Sequence, residues 1–72
     1  MKFHTTTLRD AEAIAVANVE ADTWMQAVEI TMRGMTLSGW LQVRVKDGHG
    51  NSWMTNVLVV NNSVTASRKD QG

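Results

Sequence analysis

From Gly39 to Val60 apolar and polar residues alternate along the chain, the pattern of strands with one buried face. Leu41, Val43 and Val45 precede the turn Asp47-Gly48-His49-Gly50-Asn51, and Trp53, Val57 and Val59 follow it. If Asp47 pairs with Asn51 around a three-residue loop, with Gly50 left-handed, then Val45 meets Trp53, Val43 meets Thr55, Leu41 meets Val57 and Gly39 meets Val59. A two-residue Gly48-His49 loop instead sets the same apolar residues against Ser52, Met54 and Asn56 and wastes the apolar face. The first register is expected.

The same test applied to a two-residue turn at Arg33-Gly34 pairs Met32 with Met35, Ile30 with Leu37, Val28 with Gly39 and Gln26 with Leu41. One sheet face then gathers Val28, Ile30, Met32, Met35 and Leu37 with the inward residues above. The other face shows Glu29, Thr31, Thr36, Ser38, Trp40, Gln42, Arg44, Lys46, Met54, Asn56 and Leu58. A competing reading runs a helix from Leu8 through Arg33 with Gly34 as its C-terminal cap. Thr23 and the β-branched Val28, Ile30 and Thr31 favour the strand.

Upstream, Thr7-Leu8-Arg9-Asp10 has the form of a capping box, and Leu8, Ala11, Ala15 and Val19 make a stripe at helical spacing. A helix is expected from Leu8 to about Ala21, although Ala13 to Val19 also alternates as a strand and no Gly or Pro marks a stop. Lys2 to Thr6 is a candidate first strand. The expected fold class is α+β: one helix packed on a three- or four-stranded antiparallel sheet, in the order β-α-β-β-β or α-β-β-β. One domain is expected over residues 1–64, with 65–72 as a flexible polar tail.

A chain of 72 residues buries a modest core, about 60% of its unfolded surface. Without cysteine, no disulfide or thiolate zinc site reinforces it, so a homodimer or a partner becomes attractive, and a reducing, cytoplasmic setting is compatible. The N-terminus has no apolar signal region, and no apolar run approaches the ~18 residues that span a membrane. Asn61-Asn62-Ser63 spells a glycosylation acceptor but reads more simply as a polar strand exit.

Seven cations balance seven carboxylates, which argues against a strong nonspecific grip on nucleic acid or anionic lipid. The charges are unevenly placed. Lys2 and Arg9 face Asp10, Glu12, Glu20, Asp22 and Glu29 in the first 32 residues, and the remainder reverses the balance with Arg33, Arg44, Lys46, Arg68 and Lys69 against Asp47 and Asp70. Such polarity suits self-pairing or a partner of matching charge.

Chemistry-bearing motifs are missing. His4 and His49 lack further ligands at metal-binding spacing, and Asp47 beside His49 is turn chemistry. The carboxylates sit where capping and solvation explain them, no nucleophile has a convergent base, and Gly48-His49-Gly50 joins two strands rather than leading into a helix. Neither enzyme activity nor a cofactor is expected.

The surface is more informative. Trp40, Arg44 and Lys46 share the outward face, with Met54 and Leu58 across from Arg44 and Trp40, and Arg33 and His49 at the turns. Exposed Trp, Arg and Met are enriched at protein-interface hot spots. Trp24 and Trp53 point inward as packing residues. Val57-Leu58-Val59-Val60, apolar on both faces, is a central strand, one covered by the N-terminal strand, or an edge offered to another chain.

The expected function is a non-catalytic protein-binding module: an adaptor, regulator or stoichiometric inhibitor of a larger partner. Its size and lack of chemistry are similar to those of phage and mobile-element inhibitors of large host complexes, such as anti-CRISPR proteins, an analogy of size and composition alone. The alternative is a single-stranded nucleic-acid binder using Trp40, Arg33, Arg44, Lys46 and the Arg68-Lys69 tail. The bland alternative is Trp40 simply packing on Leu58 under a cover.

Overall fold

Phe3, Thr5 and Thr7 alternate with Lys2, His4 and Thr6, and this period of two opens the chain as a strand. The structure, a computed structural model, describes residues 1–35, 37–61 and 63–68. In chain order the elements are β1 (Lys2–Arg9), β2 (Glu12–Glu20), α1 (Trp24–Arg33), β3 (Gly39–Lys46), β4 (Ser52–Val60) and β5 (Ser63–Arg68). The fold is α+β, as expected, but the sheet has five antiparallel strands in the order β2-β1-β3-β4-β5 rather than three or four.

The expected helix over Leu8 to Ala21 is absent, and a β-hairpin replaces it. Thr7, read as a helix cap, is a fully buried strand residue. Asp10 and Ala11 form a two-residue turn with φ of 54° and 67°, the left-handed pair that a type I′ hairpin requires. Arg9 and Glu12 close it. Beyond a register shift opposite Thr7 and Leu8, β2 turns Ala15, Ala17 and Val19 toward the core. Helix propensity in these alanines yields to pairing with β1.

The Arg33-Gly34 hairpin is likewise replaced by the end of α1. Thr23 is the N-cap and its Oγ1 accepts from the Gln26 N–H at 3.1 Å, while Gln26 Oε1 accepts from the Asp22 N–H at 2.8 Å. This Thr-x-x-Gln capping box lies sixteen residues downstream of the expected one. At the other end Gly34 donates to Ile30 O at 3.3 Å and Met35 to Met32 O at 3.1 Å. The competing helical reading had this terminus right and its beginning wrong. Val28, Thr31 and Met32, together with Ala27, form the buried stripe. Burial against the sheet outweighs the modest cost of β-branched residues in a helix.

The β3–β4 hairpin has the expected register, with Gly39 opposite Val59, Leu41 opposite Val57, Val43 opposite Thr55 and Val45 opposite Trp53. Asp47 N–H donates to Asn51 O at 2.9 Å, and Gly50 has φ of 89°. β4 is central, flanked by β3 and β5, while the N-terminal strand inserts on the far side of β3. Residues 65–68, expected to belong to a flexible polar tail, belong to β5. Residues 69–72 fall outside the described ones.

α1 packs on one face of the sheet. Val28, Val43, Val45 and Val57 are fully buried there, and Trp24 meets Trp53 edge-on with ring centroids 6.2 Å apart. Two of the core threonines bond their hydroxyls to the backbone: Thr55 donates to Val43 O at 2.9 Å, and Thr31 donates to Ala27 O at 2.9 Å. Among the described residues no helix is long and apolar enough to cross a membrane.

Candidate interaction face on the open side of the sheet

Alternation puts the partners of the buried residues on the opposite face, where no described element covers them. Trp40 stands beside Leu58, and Leu58 beside Thr65. Leu8, Gln42 and Asn56 form the next row, then Thr6, Arg44 and Met54, then His4, Lys46 and Ser52. The Trp40 side chain is 68% exposed. It walls a hollow of about 300 Å³ shared with Leu8, Gln42, Asn56 and the Asp10-Ala11 turn.

Trp40, Arg44, Lys46, Met54 and Leu58, the outward set expected from alternation, therefore share one surface. Arg33 does not join them. It occupies the last turn of α1, where a cation complements the helix dipole, and lines a recess of about 620 Å³ with Met35, Leu37 and Val64 on the helix side. His49 sits exposed at the β3–β4 turn, beyond the Lys46 end of the face.

That turn is held by Asp47. Asn51 Nδ2 donates to its Oδ2 at 3.1 Å, and the backbone N–H groups of His49 and Asn51 donate to its Oδ1, each at 2.9 Å. Donation from the Asn51 side chain is the leading cause holding the Asp47 carboxyl below its ordinary range, and the two N–H groups add to it. The pair read as turn chemistry is turn chemistry.

The candidate strand at Lys2 to Thr6 is β1, which runs on to Arg9 and places Lys2, His4, Thr6 and Leu8 on the same face, while the expected helix gives way to β2, which adds Val16. The alternation of Lys2 to Thr7 carries the signal for the whole strand, and the capping-box form of Thr7 to Asp10 competes with it. His4 Nδ1 donates to Asn18 Oδ1 at 2.9 Å, fixing its ring along the sheet. Arg9 reaches away, its Nη2 donating to Ser38 O at 2.8 Å and tying β1 to the segment that enters β3.

Lys2, Arg44 and Lys46 are the charged outward residues of β1, β3 and β4, no described outward residue of these three strands is a carboxylate, and Glu20 of β2 stands opposite Lys2. Neither Arg44 nor Lys46 has an ion pair among the described residues. The face combines an exposed indole, aliphatic side chains and unpaired cations. It can bury area and attract negative charge at once. No family model matches the chain, and no curated protein or solved structure matches it either.

Proposed function

We propose that this chain is a non-catalytic protein-binding module that acts as an adaptor, regulator or stoichiometric inhibitor by seating an acidic partner surface on its open sheet face. The observation that carries this reading is the exposed Trp40 beside Leu58 and Leu8, bordered by Arg44 and Lys46 with no carboxylate among their outward neighbours. An aromatic side chain buries a large area at low entropic cost, and a guanidinium pairs bidentately with carboxylates. A cytoplasmic setting and a large host complex as partner belong to the same proposal.

Capture from lysate tests it, with wild type and Trp40→Ala as paired baits. A partner retained by wild type should lose about 2 kcal/mol or more of affinity on Trp40→Ala or Arg44→Ala, with the melting curve unchanged. Equal capture by both baits sinks the assignment of this face.

A second reading rests on the cations of the same face. Lys2, Arg44 and Lys46 beside one indole are a stacking platform for single-stranded nucleic acid. Oligonucleotide binding that weakens steeply with added salt supports it, and no binding at low salt removes it.

A further inference from the structure

The open edge of the sheet on the β2 side carries an interaction surface separate from the outer face. Ala21 N–H donates to Met1 O at 2.9 Å, so the residues opposite each other alternate from there, and the bonded pairs along β1 and β2 are Phe3 with Val19, Thr5 with Ala17 and Thr7 with Ala15. The intervening residues Val16, Asn18 and Glu20 therefore aim their backbone N–H and C=O groups away from β1, along the free edge. A row of unpaired groups of this kind is a template for another strand.

Natural edges are blunted with lysine, proline or shortness. β5 is short, and its outward residues are Ser63, Thr65 and Ser67. β2 is nine residues long and uncharged from Ala13 to Val19, with neither lysine nor proline. Its surroundings are apolar on both faces. Val16 is 60% exposed on the outer face, and on the helix side Ile30 is 45% exposed above a groove of about 260 Å³ lined by Ala15, Ala17, Val19 and Met35.

We infer that β2 pairs antiparallel with β2 of a second copy about a two-fold axis at Val16, joining two sheets into one of ten strands. The occupant is a second copy because of the strand's own composition: a partner strand bearing charge on its inward positions would bury it against Ile30 and the alanines, whereas the uncharged β2 brings Val16 to Val16 and Ala15 to Ala17. An axis perpendicular to the sheet keeps both helices on one side, so each Ile30 covers the joined inner face, and the two outer faces present two copies of Trp40 to a partner.

Sedimentation of the intact chain over a dilution series tests the inference, and the mass should double at the concentrated end. Val16→Lys should return the monomer mass with an unchanged circular dichroism spectrum. Trp40→Ala should leave the mass unaltered. The chain contains no cysteine, so oxidation offers a register test. Opposite residues of a bonded pair lie about 5.5 Å apart at Cα, within disulfide reach. Val16→Cys should yield a covalent dimer, and Thr65→Cys on β5 should not. A monomer across the series, a dimer indifferent to Val16→Lys or dissolved by Trp40→Ala, growing fibres, or equal cross-linking at position 65 would each overturn it.

Discussion

Thr5 of β1 and Thr31 of α1 meet hydroxyl to hydroxyl at 3.0 Å in the core, a polar junction between sheet and helix. Thr31 spends its proton on Ala27 O, so Thr5 is the donor between them. The chain of bonds runs from strand to hydroxyl to helix carbonyl, and both side chains are buried.

The two ends of that chain are unequal. Thr31→Val strands the Thr5 hydroxyl in the core and should cost about 1 to 3 kcal/mol, whereas Thr5→Val leaves Thr31 bonded to Ala27 and should cost less than about 1 kcal/mol. Urea unfolding of the two variants checks the order. Equal losses would mean that Thr5 finds another acceptor.

Thr7, two residues along the same strand, has a fully buried Oγ1 with no hydrogen-bond partner among the described residues. Thr7→Val keeps the branched shape and removes the orphan, and should gain about 1 kcal/mol of stability. A destabilised variant in the same urea assay would show that the hydroxyl is satisfied in solution.

Ala11 holds φ of 67° without the side chain or the freedom that suits such a conformation. Ala11→Gly should raise stability by about 0.5 to 1 kcal/mol by relieving the turn, a gain net of the added freedom of the unfolded chain. A lower melting temperature would argue that the β1–β2 turn is not type I′ in solution.

Asp47 links the β3–β4 turn to pH. Its carboxyl lies below the usual range in the fold, led by the Asn51 side chain, so its contribution is complete above the unfolded value of about 4 and fades as pH falls through the lower folded value. Glu20 behaves alike because the Met1 ammonium donates to it. Asp47→Asn keeps an acceptor for the backbone N–H groups but has no carboxyl to titrate. Acid titrations of stability should fall more steeply below about pH 4 for wild type than for this variant.

The two hairpin tryptophans divide inside from outside. Trp53, edge-on to Trp24, should cost about 3 to 5 kcal/mol when replaced by alanine, while Trp40→Ala should stay within about 0.5 kcal/mol of wild type. Thermal melts of both proteins measure this directly. Comparable losses would mean that the outer face is covered.

The β3–β4 half of the candidate face was legible because two independent signals agreed. Apolar alternation and the Gly50 loop demand the same register, so inside and outside followed without tertiary information. Of the β1–β2 half only the strand at Lys2 to Thr6 was legible. Asp10-Ala11 lacks the glycine that announces a type I′ turn, and an alanine-rich strand satisfies a helical stripe as readily as an alternating one. α1 was obscured by its β-branched residues, although Thr23 and Gln26 spell its start.

Local sequence by itself determined the β3–β4 register and the outward set of Trp40, Arg44, Lys46, Met54 and Leu58, because period-two alternation and a loop needing a left-handed residue are both short-range constraints. Tertiary structure decided which segment became the helix and where β1 and β2 joined the sheet. Val28 and Met32 bury equally well from a strand or a helix, and only the open space on one face of the sheet, across β2, β1, β3 and β5, selects between them. The same selection put Lys2, His4 and Leu8 beside Arg44 and Trp40, through pairings between strands more than thirty residues apart in the chain.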